Sequence, residues 1–272
     1  MADTANDLLF TIEQRLHLDV DGYVIVPGFL PQAEVSSLRE EIMETEQRFL
    51  RDGTRPHAPG YLSQTSSGYF RIDNLPHLAP CFHRYLSSPR LVGRVEEMIG
   101  HEPRLEQSDA HIRRLVQGHP DAFIFHRSPR LGLGSVERNG LYHYPFVKAL
   151  TNLTDLDLED GGTTVIPGSH KLPAHLDPVL IQAAARDPSL MAQVVAPAGS
   201  TLFFYESLIH SAGINRSGKD RVLVLGGFTP TIFQPYRHPD PAFVATLDER
   251  EQALYSGSKG WLGVERHRSL SP

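Results

Sequence analysis

The sequence predicts an α+β chain that is mainly β, with helices at the front packed on one sheet of an antiparallel barrel or sandwich. Three observations predict it. Amphipathic helical patterns are confined almost wholly to the residues before 104. From 104 onward, short apolar and β-branched runs follow one another at regular spacing. The 22 glycines and 21 prolines are spread throughout, as many short strands joined by turns require.

The elements follow in order. Residues 22–30 read Gly-Tyr-Val-Ile-Val-Pro-Gly-Phe-Leu, a β-branched strand ended by Pro-Gly. Apolar Val35, Leu38, Ile42 and Met43 then recur at helical spacing, so a helix should run to about Phe49 with Pro31 in its first turn. A second helix is expected over 89–99, with Leu91, Val92, Val95, Met98 and Ile99 on one stripe and Gly100 as its stop. Strands are expected at 105–116, 122–126, 144–153, 163–166, 194–195, 201–205 and 221–228, interrupted by one helix near 178–185. Partial helix at 242–255 and a loose end complete the chain. The division is a single domain over 1–272: helical front 1–103, barrel core 104–230, tail 231–272.

Composition excludes several classes. At 40% hydrophobic and 21% charged the chain is globular rather than disordered or fibrous. Lys+Arg 26 against Asp+Glu 32 leaves a formal charge of −6, without the basic footprint that nucleic acid or an anionic membrane demands. One cysteine, Cys81, builds neither a disulfide nor a metal site alone and reads as a small buried residue. The acidic start at Asp3 and Asp7 is unlike a signal peptide, and the expectation is a cytoplasmic protein with a small-molecule substrate. Oligomeric state is not readable.

Four local signals carry the chemistry. They are Phe125-His126-Arg127-Ser128, the stretch 160–171 containing Gly161-Gly162 and Pro167-Gly168-Ser169-His170-Lys171, the stretch 207–217 around His210, and Arg221 eleven residues after His210. Two histidines at the ends of neighbouring strands can bind one Fe(II) and leave positions open for a chelating cosubstrate and O₂. An arginine one strand away can hold that cosubstrate's far carboxylate.

On these residues, with Leu153-Thr154-Asp155 and Asn215, the sequence resembles the phytanoyl-CoA dioxygenase-like (PhyH) family of Fe(II)/2-oxoglutarate-dependent oxygenases, from residue 21 to about Phe228. The resemblance implies a double-stranded β-helix (a jelly-roll, cupin-like fold) with helices on one sheet. It implies Fe(II) on His126 and His210, 2-oxoglutarate on Arg221 with O₂ as co-reactant, and oxidation of a small metabolite, as in secondary metabolism. Some relatives place a glutamine where Gln107 stands, in contact with 2-oxoglutarate. His143 and Lys148 are substrate-facing candidates beside packing or solvent-directed roles.

One departure stands out. The family's His-x-Asp is His126-Arg127-Ser128 here, and a neutral hydroxyl is a poor ligand for Fe(II). Three readings follow: an oxygenase in which water or another carboxylate fills the third position, with Glu137 and Asp121 the acids nearby; a halogenase with chloride on the iron; or a pseudoenzyme or ligand-binding scaffold with a lost metal site. The remaining acids at Asp155, Asp157, Glu159 and Asp160 read as a solvated turn, and Ser169 and His170 as residues that fix their own turn.

Overall fold

The computed structural model describes residues 9–53, 62–66, 68–116, 122–128, 135–138, 141–233 and 239–257. Its front holds α1 (Ile12–Asp21), β1 (Tyr23–Val26), α2 (Gln32–Asp52), β2 (Leu62–Ser66), β3 (Tyr69–Asp73), α3 (Pro80–Leu86) and α4 (Pro89–Ile99). Strands β4 (Pro103–Arg113), β5 (Val136–Arg138), β6 (Leu141–His143), β7 (Val147–Asn152) and β8 (Thr164–Val165) follow. After α5 (Asp177–Arg186) come β9 (Ala192–Gln193), β10 (Thr201–Tyr205), β11 (His210–Ser211) and β12 (Arg221–Pro230), then α6 (Pro241–Val244) and α7 (Glu249–Ser256).

Local chemistry explains the helix ends. Thr11 and Gln14 form a reciprocal capping box at the start of α1. Gly100 ends α4 in the left-handed conformation, as its sequence predicts. Pro31 stands as the N-cap of α2, one position before the first turn. The sequence reading passed over α1 and α3, which are short. Their apolar residues Leu18, Phe82, Tyr85 and Leu86 gain stability from the sheet beneath rather than from helical periodicity.

The main sheet has seven strands in the order β1-β10-β7-β12-β4-β3-β2, every pair antiparallel. The front is therefore not only helical: three of its strands enter this sheet. A smaller sheet, β11-β8-β9, lies over the other face and is lengthened by isolated bridges His126–His210 and Leu156–Ala196. Of the strand expected at 122–126 only His126 pairs. The stretch expected at 144–153 forms only β7, and a separate strand, β6, precedes it.

Alternation along the main sheet sorts its side chains into two layers. Phe70, Ile72, Ala110, Ile112, Val147, Ala149, Phe203, Tyr205, Val222 and Val224 point outward and join Leu18, Val35, Leu38, Ile42, Leu91, Val95 and Met98 of the helices. Leu150, Leu202, Phe204 and Leu223 point inward and meet Leu156, Val165, Val194, Ala196 and Leu208 beneath the small sheet. Helices on one face and a second sheet on the other make the double-stranded β-helix. Leu254 and Tyr255 of α7 belong to the helix-side core, and Tyr255 Oη lies 2.9 Å from His83 Nδ1, so this part of the tail is built into the fold. Residues beyond 257 lie outside the described residues.

Candidate metal and cosubstrate site

His126 and His210 pair across the small sheet. Each backbone N–H donates to the other's carbonyl at 2.9 Å, which places the rings side by side with centroids 4.3 Å apart. Their hydrogen bonds are alike. His126 Nδ1 donates to the Ile124 carbonyl at 2.9 Å, and His210 Nδ1 donates to the Leu208 carbonyl at 2.8 Å. A carbonyl accepts only, so the proton of each neutral ring sits on Nδ1 and the Nε2 lone pair is left free. That is the arrangement in which imidazoles bind metal, their tautomer set by an outer carbonyl. Burial, opposed in part by the Glu206 carboxylate, pushes His210 down to about 4, so the ring is neutral at physiological pH.

The segment carrying His126 is clamped by the residue after it. Arg127 Nη1 donates to the carbonyls of Ser169 (2.9 Å) and Ser207 (3.0 Å), Nη2 to that of Leu172 (3.0 Å), and the guanidinium pairs with the Asp177 carboxylate, with Nε 3.0 Å from Oδ2. Beyond it, the Ser128 N–H donates to the Glu206 carbonyl at 3.3 Å. Ser169 Oγ accepts from the Ile209 N–H at 2.8 Å, one residue before the second histidine. The buried His170 ring packs on Tyr144 and Tyr205, and a Cβ on Gly22 (φ +85°) would come 2.4 Å from its Nδ1. The Pro-Gly-Ser-His turn thus fixes the start of β1 and the approach to His210 together.

Arg221 opens β12 and is 2% exposed. Nη1 donates to the Gly161 carbonyl at 2.6 Å and Nη2 to Thr163 Oγ1 at 2.9 Å, while its buried Nε–H has no partner. Burial and the Arg113 cation together lower its pKa to about 9; no carboxylate opposes them. Asn152, fully buried on the inward face beside Leu223, has neither its amide N–H nor its carbonyl hydrogen-bonded. Leu223, which pairs with Asn152, lies two residues after Arg221, so the amide and the guanidinium share the inward face of neighbouring strands, and unmet hydrogen bonds on such groups are the chemistry of a carboxylate receptor. The backbone around the Gly161 carbonyl, which holds Arg221, is closely packed. A Cβ on Gly162 would lie 1.9 Å from the Val194 carbonyl, and one on Gly213 would lie 2.1 Å from that of Gly162.

Gln107 and Lys148, predicted separately, meet across Gly227, which pairs with each of them in β12. Buried Lys148 donates to Gln107 Oε1, stands 3.7 Å from Glu206 and lies over the Phe146 ring at 4.3 Å. Gln107 Nε2 donates to Asp109, which also takes Arg71 Nη2 at 2.8 Å. Burial pushes Lys148 down from its ordinary value. His143 is elsewhere: its Nδ1 donates to the Glu97 carbonyl at 3.1 Å and its ring covers Gly100 at the end of α4. In the acidic turn Asp155, Asp157 and Glu159 are exposed as expected, and Asp160 is the correction: it is buried, accepts from the Asp157 N–H at 2.8 Å and pairs with Lys219 at 3.3 Å. Asp121 lies outside the described residues. Sequence reasoning passed over Glu206, Asn152, Arg113 and Asp109; an acid in the apolar run Thr201–Glu206, four residues before His210, was the one available signal.

Residues 18–223 match the family described as phytanoyl-CoA dioxygenase (PhyH). The chain belongs to that family. Membership carries the enzyme class with it, an iron- and 2-oxoglutarate-dependent dioxygenase. Among sequence relatives, an Fe(II)/2-oxoglutarate-dependent dioxygenase of Aspergillus novofumigatus, nvfF, is 26% identical over 249 residues, 89% of this chain and 78% of that protein. L-proline trans-4-hydroxylase of Streptomyces griseoviridis is 22% identical, covering 87% of this chain and 93% of its own. HygX from Streptomyces hygroscopicus, solved with nickel, 2-oxoglutarate and hygromycin B, superposes with a TM-score of 0.65 at 23% identity over 85% of this chain and 92% of its own. HygX shares the fold described above. Among the described residues no helix is long and apolar enough to cross a membrane.

Proposed function

We propose that His126 and His210 hold Fe(II) through their Nε2 atoms, that Arg221 with Asn152 receives the far carboxylate of 2-oxoglutarate, and that the site oxidises a small metabolite of the secondary-metabolism kind. The donor set fits the metal: two imidazoles stand side by side with both Nδ1 atoms already committed. Bound there, iron with 2-oxoglutarate and O₂ supplies the oxidising power, the cosubstrate leaving as succinate and CO₂ while one oxygen atom goes to the substrate.

The chain's own residues do the rest. Arg221, uncompensated in the barrel, orients the cosubstrate and gains the carboxylate it lacks. Leu150, Leu202, Phe204 and Leu223 keep water from the cavity floor. Arg127 holds His126 in register with His210. Lys148 and Gln107 form a polar pair on the same inward face and are assigned to cosubstrate or substrate contact. His143 is given no part, since its ring nitrogen is committed to α4.

The observation that carries this reading is the matched pair of Nδ1–carbonyl bonds, which frees both Nε2 atoms in the same barrel as a guanidinium without a carboxylate. Anaerobic titration of 2-oxoglutarate into Fe(II)-loaded protein tests it. A saturable visible charge-transfer band is expected, lost in H126A and H210A; a chloride-dependent shift of that band would favour halide transfer over hydroxylation. Iron-loaded protein that gives no band overturns the proposal.

A further inference from the structure

The acid that the family carries at position 128 is absent, yet the barrel holds an acid beside that position. Glu206 follows β10, and its carbonyl accepts the Ser128 N–H, so the two residues are backbone neighbours across the sheet. Alternation along β10 puts Phe204 and Glu206 on the inward side, where the Phe204 ring stands against the His210 ring at 4.9 Å between centroids. Glu206 is 8% exposed, and its Oε2 is buried without a hydrogen bond. Among the described residues the cation paired with it is Lys148, at 3.7 Å, and Lys148 already spends a proton on Gln107. A buried carboxylate so poorly partnered is costly.

We propose that Glu206 is the carboxylate of the metal centre, transposed from position 128 to the neighbouring strand. The inference rests on the oxygenase reading above. Among the described residues no three His, Cys, Asp or Glu side chains converge on one point. Glu206 is turned toward Lys148 instead, and ligation requires rotation about its own side-chain bonds toward the two histidines. Lys148 keeps its bond to Gln107 through that rotation. Two imidazoles and the Glu206 carboxylate give the metal the same ligand types and charge as two imidazoles and an aspartate.

Anaerobic calorimetry with Fe(II), repeated with Ni(II), reads the outcome without turnover. Glu206→Gln should weaken metal binding by at least the ~10–100-fold that loss of an outer partner costs. Ser128→Ala should leave it unchanged, and S128D/E206Q should recover most of what E206Q loses. Unchanged binding in E206Q overturns the proposal, as does a loss that S128D does not recover in a folded protein. K148M/E206Q separates ligation from charge balance: it should stay weak, and recovery there would show that E206Q acted only by leaving Lys148 unpaired. Wild-type protein that binds no metal, or H210A that binds as well as wild type, would instead remove the oxygenase reading itself.

Discussion

Arg221→Met should separate function from stability. The guanidinium is buried with two hydrogen bonds, an unpartnered Nε and no opposing carboxylate, so the cosubstrate-free fold carries the cost of a desolvated cation. Methionine fills similar volume without that charge. Losing the bonds to Gly161 and Thr163 costs about 1–3 kcal/mol for the acceptors left unmet. Removing the buried cation returns several kcal/mol, and apolar replacements of buried ionic groups are commonly neutral or stabilising by about 1–4 kcal/mol. Thermal denaturation of the cosubstrate-free variant should therefore show an unchanged midpoint or one raised by several degrees, at roughly 2–4 °C per kcal/mol for a chain of this size. Cosubstrate binding should move the other way. A charge-assisted buried pair is worth about 2–5 kcal/mol on truncation, a rise in Kd of about 30- to 4,000-fold at ~1.4 kcal/mol per decade. Calorimetric titration of 2-oxoglutarate into Ni(II)-loaded protein measures it. A variant that holds 2-oxoglutarate as tightly as wild type while losing stability would refute the reasoning and make Arg221 a structural residue.

Three further outcomes are expected. Arg127→Ala should cost about 3 kcal/mol in urea denaturation, because it leaves Asp177 and three carbonyls unmet, and should weaken metal binding by about 10–100-fold through a loosened His126; equal metal affinity would show that the clamp does not reach the ring. Gly213→Ala drives a Cβ against the Gly162 carbonyl and should cost about 1–3 kcal/mol, with a matching loss of 2-oxoglutarate affinity because the Gly161 carbonyl that orients Arg221 must move; a stable variant with normal affinity would contradict the packing argument. Burial and hydrogen bonding to Asp109 raise the Asp73 carboxyl to about 6. The folded state therefore holds this proton more tightly than the unfolded chain, and stability from this group falls as pH rises from about 4 through about 6. Asp73→Asn should remove that slope from urea midpoints, and an undiminished slope would assign it to other groups.

The fold and half of the proposed site were legible because their signals are local. The helix over 89–99 shows its stripe, its proline start and its glycine stop within eleven residues. The ordered set His126, Pro167–Lys171, His210 and Arg221 identifies the family because each member lies in a short motif with fixed chemistry. Lys148 shows where this kind of reading ends. Its sequence neighbours allow a side chain directed either to solvent or into the barrel. Only the pairing of Gly227 with both Lys148 and Gln107 decides for the interior, and a shift of one residue in that register would have turned every side chain of the strand over.

By itself, then, the sequence determined the fold class and the family, and it offered the candidate histidine pair, the candidate arginine and the serine at position 128 on which the proposal is built. Tertiary structure alone decided what surrounds them. It brought Glu206 beside Ser128 and His210, set Arg113 opposite Arg221 and Asn152 opposite Leu223, and moved His143 away to the end of α4. The physical reason is the same in each case. Motif chemistry is written in adjacent residues, whereas the charge balance of a barrel interior comes from strands far apart in sequence, and which of their side chains face one another is set by register and twist.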